Sequence, residues 1–149
     1  MFKNSGKSLR GRNVLVSISA GGKGDITETH VNWEKRKALP YVASPLLYQD
    51  RLYYVKKGGY LTAIHPISGE PFFESKKIGV SGEYYASPIG VDGQILVASK
   101  AGIITLFKAS DEFEIIKKID MEESILSSPA IVDNTLYLRT GSHLWAFRD

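Results

Sequence analysis

The sequence predicts an all-β fold of four-stranded antiparallel sheets stacked as propeller blades, and three observations predict it. A small-Ser-Pro triplet returns as Ala43-Ser44-Pro45, Ala86-Ser87-Pro88 and Ser127-Ser128-Pro129, with its prolines 43 and then 41 residues apart. Short apolar runs separated by turns follow each triplet, and a period of about 40–45 residues is the size of one four-stranded blade. The second run of each unit, such as Leu52-Tyr53-Tyr54-Val55 or Ile95-Leu96-Val97-Ala98, is apolar without alternation. Continuous runs this short suit strands buried on both faces, as stacked blades bury theirs. No segment shows the 3.6-residue periodicity and caps of a helix.

In chain order, residues 1–12 are expected to form a flexible basic tail, and 13–149 the propeller segment. Asn13–Ser19 and about His30–Arg36 read as third and fourth strands of a partial blade (13–37). A complete blade (43–79) follows, with strands Ser44–Tyr48, Arg51–Val55, Tyr60–His65 and Phe72–Ile78. Pro66-Ile67-Ser68-Gly69 turns its third strand into its fourth. The next blade (86–120) holds Ser87–Val91, Ile95–Ser99, Ile103–Lys108 and about Glu114–Ile119. Its Asp92-Gly93 makes a two-residue hairpin whose residues tolerate φ > 0. The last, partial blade (127–149) has Ser128–Val132, Thr135–Arg139 and His143–Arg148. Runs opening at Leu61, Ile104 and Leu144 step by 43 and 40 residues, which places a one-residue deletion in the turn before the last of them. Thirteen strands fall short of a closed ring of about 4–8 blades, so the chain reads as the carboxy-terminal portion of a longer one.

The prolines fit this architecture. A residue without an amide hydrogen belongs at the start of a strand or on an edge, and the innermost strand of a blade is an edge. Proline also holds the preceding serine extended.

Bulk composition excludes several classes. The 149 residues contain no cysteine, which removes disulfides, thiolate metal sites and thiol nucleophiles together. No apolar stretch approaches the ~20 residues of a membrane span, and the first seven residues lack the apolar centre of a secretory signal. The net charge of +3 is uneven: residues 1–24 hold five basic residues and no acid, whereas the remainder holds 14 basic and 16 acidic residues. A nucleic-acid surface needs a basic face on the folded body, so none is expected.

At these residues the chain resembles the PQQ-like (quinoprotein-like) β-propeller repeat family. Ala86-Ser87-Pro88, Asp92-Gly93 and Gly102 match one repeat; Ala43-Ser44-Pro45, Gly58-Gly59 and Ser68-Gly69-Glu70 match another. Val31-Asn32-Trp33-Glu34 looks like the family's Trp-bearing fourth strand, which Phe72-Phe73-Glu74 varies by replacing Trp with Phe. The resemblance covers about Asn13 to Phe147. It implies one of two roles. Non-catalytic, BamB-like members are binding platforms outside the cytoplasm, in the periplasm, which implies a protein partner and no cofactor. Quinoprotein dehydrogenases hold pyrroloquinoline quinone (PQQ) and calcium, stacking the quinone on a disulfide between adjacent cysteines. The missing cysteines, and the lack of clustered carboxylates and amides at the matching loops, favour the binding platform. The alternative is a dehydrogenase fragment whose active site lies in further blades.

Local motifs have plainer explanations. Ser5-Gly6-Lys7-Ser8 ends like a phosphate-binding loop, but Met1 stands where the first glycine is needed and no helix follows. Gly21-Gly22-Lys23-Gly24 reads as a long turn. His30, His65 and His143 are too scattered to encode a metal site. Asp50, Asp92 and Asp133 are expected to recur at the same hairpin position, where aspartate stabilises turns.

In a blade, the second-to-third turn and the connection to the next blade emerge on the same face of the disc. That face is expected to carry Tyr41, Tyr84 and Tyr85 with Lys56, Lys57, Lys100 and Arg139, and to receive the partner, since Tyr and Arg are frequent hot spots. Packing of Tyr41 and Tyr84 between blades is the alternative. Each terminal blade should also leave a sheet face of about 320 Å² open, implying further blades upstream, a second copy, or self-association. The third strand of the last blade, near Leu144-Trp145-Ala146-Phe147, should likewise lack an outer partner.

Overall fold

The computed structural model describes residues 13–148. The expected tail (1–12), with its Ser5-Gly6-Lys7-Ser8, lies outside them. The described chain is all β, in four antiparallel sheets. The first holds β1 (Leu15–Ile18) and β2 (Val31–Lys35). The second runs β3 (Leu46–Tyr48), β4 (Arg51–Lys56), β5 (Tyr60–Ile64) and β6 (Pro71–Lys77) in sequential order. The third repeats this order with β7 (Ile89–Val91), β8 (Gln94–Ala98), β9 (Ile103–Lys108) and β10 (Ile115–Asp120). The fourth has β11 (Ala130–Val132), β12 (Thr135–Arg139) and β13 (Leu144–Arg148). These are the expected strands, in the expected groups of two, four, four and three.

Hairpin chemistry sets the register. Tyr48 pairs with Arg51, Val91 with Gln94 and Val132 with Thr135, leaving two-residue loops at 49–50, 92–93 and 133–134. All six loop residues have φ between 46° and 71°, the left-handed pair of a type I′ turn. Asp50 takes the second loop position, whereas Asp92 and Asp133 take the first, so the three acids are not equivalent. The deletion is where the spacing placed it. Val55 pairs with Leu61 and Ala98 with Ile104, six residues on, whereas Arg139 pairs with Leu144 after five.

The core lies between sheets. Tyr53, Val55, Leu61, Ala63 and Phe73 of the second sheet are buried against Ile95, Val97 and Phe107 of the third. The opposite face of the third sheet, with Leu96, Ala98 and Ile104, packs on Leu138, Leu136 and Trp145 of the fourth. Central strands are therefore buried on both sides, as their unbroken apolar runs require. Fourth strands reach forward as well. The Trp33 indole donates to the Pro66 carbonyl at 2.9 Å, and Phe73 meets Phe113 edge-on with centroids 5.6 Å apart. The outward face of the fourth sheet carries Val132, Tyr137 and the 72% exposed Leu144, so it has the open apolar character expected of it.

The repeated triplet has a specific structural use. The amide of Ser44 donates to Ser87 Oγ at 2.9 Å, and the amide of Ser87 donates to Ser128 Oγ at 2.8 Å. Ser44 and Ser87 thus spend their amides on the next blade rather than on their own sheets, and all three strands begin after the proline. Ser87→Ala is expected to lower stability by about 1 kcal/mol, the worth of one such bond. Ser44→Ala should change it by less than half as much, because Ser44 Oγ has no partner among the described residues. Chemical denaturation of the two variants side by side checks the difference; equal losses would contradict the ladder.

Candidate binding face

Two kinds of segment build the face on which connectors and second-to-third turns emerge. The turns are 57–59, 99–102 and 140–143, and the connectors between sheets are 36–45, 78–88 and 121–129. Main-chain bonds tie them together. The Gly58 amide donates to the Gly82 carbonyl at 2.7 Å, that of Lys100 to Glu83 at 2.9 Å, and that of Ile125 to Lys100 at 3.3 Å. The connector 78–88 is therefore laid across the turns of both sheets it joins, and 121–129 is bonded to the turn of the third sheet.

Carboxylates in the connectors clamp those turns. Glu83 pairs with Lys57, and its hydrogen bond and charge hold the Lys57 ammonium above its usual range, with the Tyr85 and Tyr41 rings adding to the shift. Glu123 Oε2 accepts from the Thr140 hydroxyl at 2.6 Å and the Ser142 amide at 2.8 Å, while Oε1 meets His143 Nδ1 at 2.5 Å. These donors keep the Glu123 carboxyl below its ordinary range, the Thr140 hydroxyl contributing most. The Trp145 indole donates to Thr140 Oγ1 at 3.0 Å, completing the cluster. Neither acid was singled out in the sequence. The available signal was an acid five or six residues ahead of the proline in Pro88 and Pro129 units.

The predicted face residues divide. Tyr41 is 80% exposed, Tyr85 is half-buried with the Lys100 ammonium 5.8 Å from its ring centroid, and Lys57 pairs with Glu83. Lys57, Tyr85 and Lys100 come together around Glu83, while Tyr41 acts on the group only through a weak charge effect at Lys57. Tyr84 does not join them: it is 5% exposed and packs in the core between the second and third sheets. Its hydroxyl donates to the Val80 carbonyl at 2.9 Å beside Gly59, so Tyr84 follows the packing alternative. Lys56, the last residue of β4, lines an open cleft of about 630 Å³ with Arg36, Lys37, Glu74 and Ser75 rather than joining Tyr85 and Lys100. Arg139 is exposed at the end of β12, at the sheet position where Val55 and Ala98 stand buried. It therefore belongs to the open side of the fourth sheet, not to the Tyr–Lys group.

The remaining polar motifs are structural. Gly21, Gly22 and Gly24 all have φ between 73° and 91° in the turn from β1 to β2. His65 Nδ1 accepts the Ser68 amide at 3.2 Å. Among the described residues no three His, Asp or Glu side chains gather closely enough to hold a metal ion, and the chain has no cysteine.

No protein-family model matches the chain, and no curated protein matches it. Solved structures do. BamB from Moraxella catarrhalis superposes with a TM-score of 0.64 at 19% identity, over 78% of this chain and 36% of that one. The computationally designed Ika4 protein gives 0.64 at 12% identity, over 93% of this chain and 86% of that one. The designed Ika8 protein gives 0.62 at 12% identity, over 92% of this chain and 44% of that one. The alignment therefore takes in little more than a third of the BamB chain. At these identities the likeness shows the fold alone, and together with the unclosed row of sheets it makes this chain a partial β-propeller.

Proposed function

We propose that the chain is a non-enzymatic scaffold of the PQQ-like, BamB-like repeat type that binds a protein partner on its connector face. The observation that carries this reading is the gathering of Lys57, Tyr85 and Lys100 around Glu83 on the connector face, with the exposed Tyr41 on the preceding connector. Aromatic rings with rigid backbones and flanking cations are what protein-binding hot spots use. Placement outside the cytoplasm, in the periplasm, rests on the family resemblance, supported by the propeller likeness to BamB.

The test is crosslinked capture of partners in the source cells with the tagged chain. Tyr41→Ala combined with Tyr85→Ala should cut recovery of the captured protein about tenfold or more. Asp92→Asn, on the hairpin face, should leave it unchanged. Adding PQQ with calcium should produce no dye reduction. Undiminished capture by the double variant, or quinone-dependent dye reduction, would refute the scaffold reading.

A further inference from the structure

We infer that the partner segment received on this face is acidic and extended, its carboxylates seated on Lys37 and Lys56 and its apolar side chains on Tyr41 and Tyr85. This rests on the scaffold reading and adds the chemistry of the partner.

The cleft between the first two sheets is the starting point. Arg36, Lys37 and Lys56 line it against a single carboxylate, Glu74. Arg36 is already paired with Glu34. Lys37 and Lys56 make no ion pair among the described residues, and residues 1–24 contain no acid that could supply one. Counted against Glu74, Lys37 and Lys56 leave the cleft with one excess positive charge beside a concavity of about 630 Å³, open enough to admit side chains from outside.

The end of β4 and the turn after it link the cleft to the aromatic group. Lys56 enters the cleft, while the adjacent Lys57 pairs with Glu83 next to Tyr85. Across three sheets the surface therefore reads cation, aromatic, cation, with Lys100 over Tyr85 at the far side. A strand-like peptide with carboxylates spaced among apolar residues matches that order, because its side chains alternate.

Charge elsewhere sharpens the assignment. The opposite face of the disc carries Asp50, Asp92 and Asp133 in the hairpins, and Asp111, Glu112 and Glu114 in the turn from β9 to β10. Outside that face, exposed lysines remain on the outermost strands, at Lys76 and Lys77 of β6 and Lys117 and Lys118 of β10. Asp120 ends β10, and Glu122 and Glu123 lie on the connector that follows. A nucleic-acid backbone needs a continuous cationic track, and those acids interrupt it. A polypeptide can place its carboxylates only where cations wait.

The experiment is fluorescence anisotropy with a labelled twelve-residue peptide of alternating Glu and Tyr. The same peptide with Gln for Glu, a DNA oligonucleotide of equal charge, and phosphatidylglycerol vesicles serve as comparisons. The Glu peptide should bind, more weakly as salt is raised through the range where screening becomes strong. Lys37→Glu with Lys56→Glu should weaken it about tenfold or more, and Lys117→Glu with Lys118→Glu, on β10, should not. Absence of binding, equal binding of the Gln peptide, preference for DNA or vesicles, or indifference to the Lys37 and Lys56 reversal would each overturn the inference. The scaffold reading is scored separately: partner capture that needs Tyr41 and Tyr85 but survives the lysine reversal removes only the acidic segment.

Discussion

Phe107→Ala should destabilise the chain by about 3–5 kcal/mol, the usual cost of emptying a buried phenylalanine site. Phe107 is fully buried between the second and third sheets, its ring centroid 6.0 Å from that of Tyr53. Strands on both sides are pinned by their own ladders and cannot close the gap. The Tyr53 hydroxyl is buried without a hydrogen-bond partner among the described residues. A water entering the new cavity could satisfy it, which places the loss nearer the lower bound. The difference in urea midpoint, at constant slope, measures the effect. A change below about 1 kcal/mol would mean that the two sheets do not rely on this contact.

Gly102→Ala should cost about 2–4 kcal/mol, from backbone strain together with forced displacement. Gly102 has φ of 92°, which a side chain disfavours, and an added Cβ would collide with the main-chain carbonyl of Glu123. Its own amide donates to the Ser99 carbonyl at 3.0 Å, and its carbonyl accepts from Met121 at 3.1 Å. The connector can move away only by giving up that bond and the clamp of Glu123 on the next turn. Gly93→Ala is the comparison: φ is 71° there, but the added Cβ meets nothing within 4 Å. It should cost only the strain, about 1–2 kcal/mol. Thermal unfolding of both variants separates the two contributions, and equal losses would contradict the collision.

The order and grouping of strands were legible because period, turn residues and apolar runs agree. Their starts were less so. Ser44, Ser87 and Ser128 read as first residues of strands, yet β3, β7 and β11 open at Leu46, Ile89 and Ala130. An amide already given to a neighbouring serine cannot join a ladder, and sequence does not reveal where an amide points. The binding face was legible as a set of segments but not residue by residue. Tyr84 and Tyr85 are adjacent and chemically alike; only the left-handed turn at Gly59 shows that the first of them is drawn inward. Arg139 stands at the sheet position that elsewhere holds Val55 or Ala98, and it is exposed because no further sheet packs on that side of the fourth among the described residues. The cleft around Lys37 and Lys56 joins segments nearly twenty residues apart, and no local pattern marks it.

The serine ladder also fixes how far neighbouring sheets can slide. Its bonds run between successive inner strands, at the rim nearest the common axis, whereas Trp33 and Phe73 make their contacts on the outermost strands. Polar pins at the hub and aromatic wedges at the circumference leave the angle between blades as the adjustable quantity. A repeat can therefore lose a residue in a turn, as the last one has, without altering the pitch of the whole array.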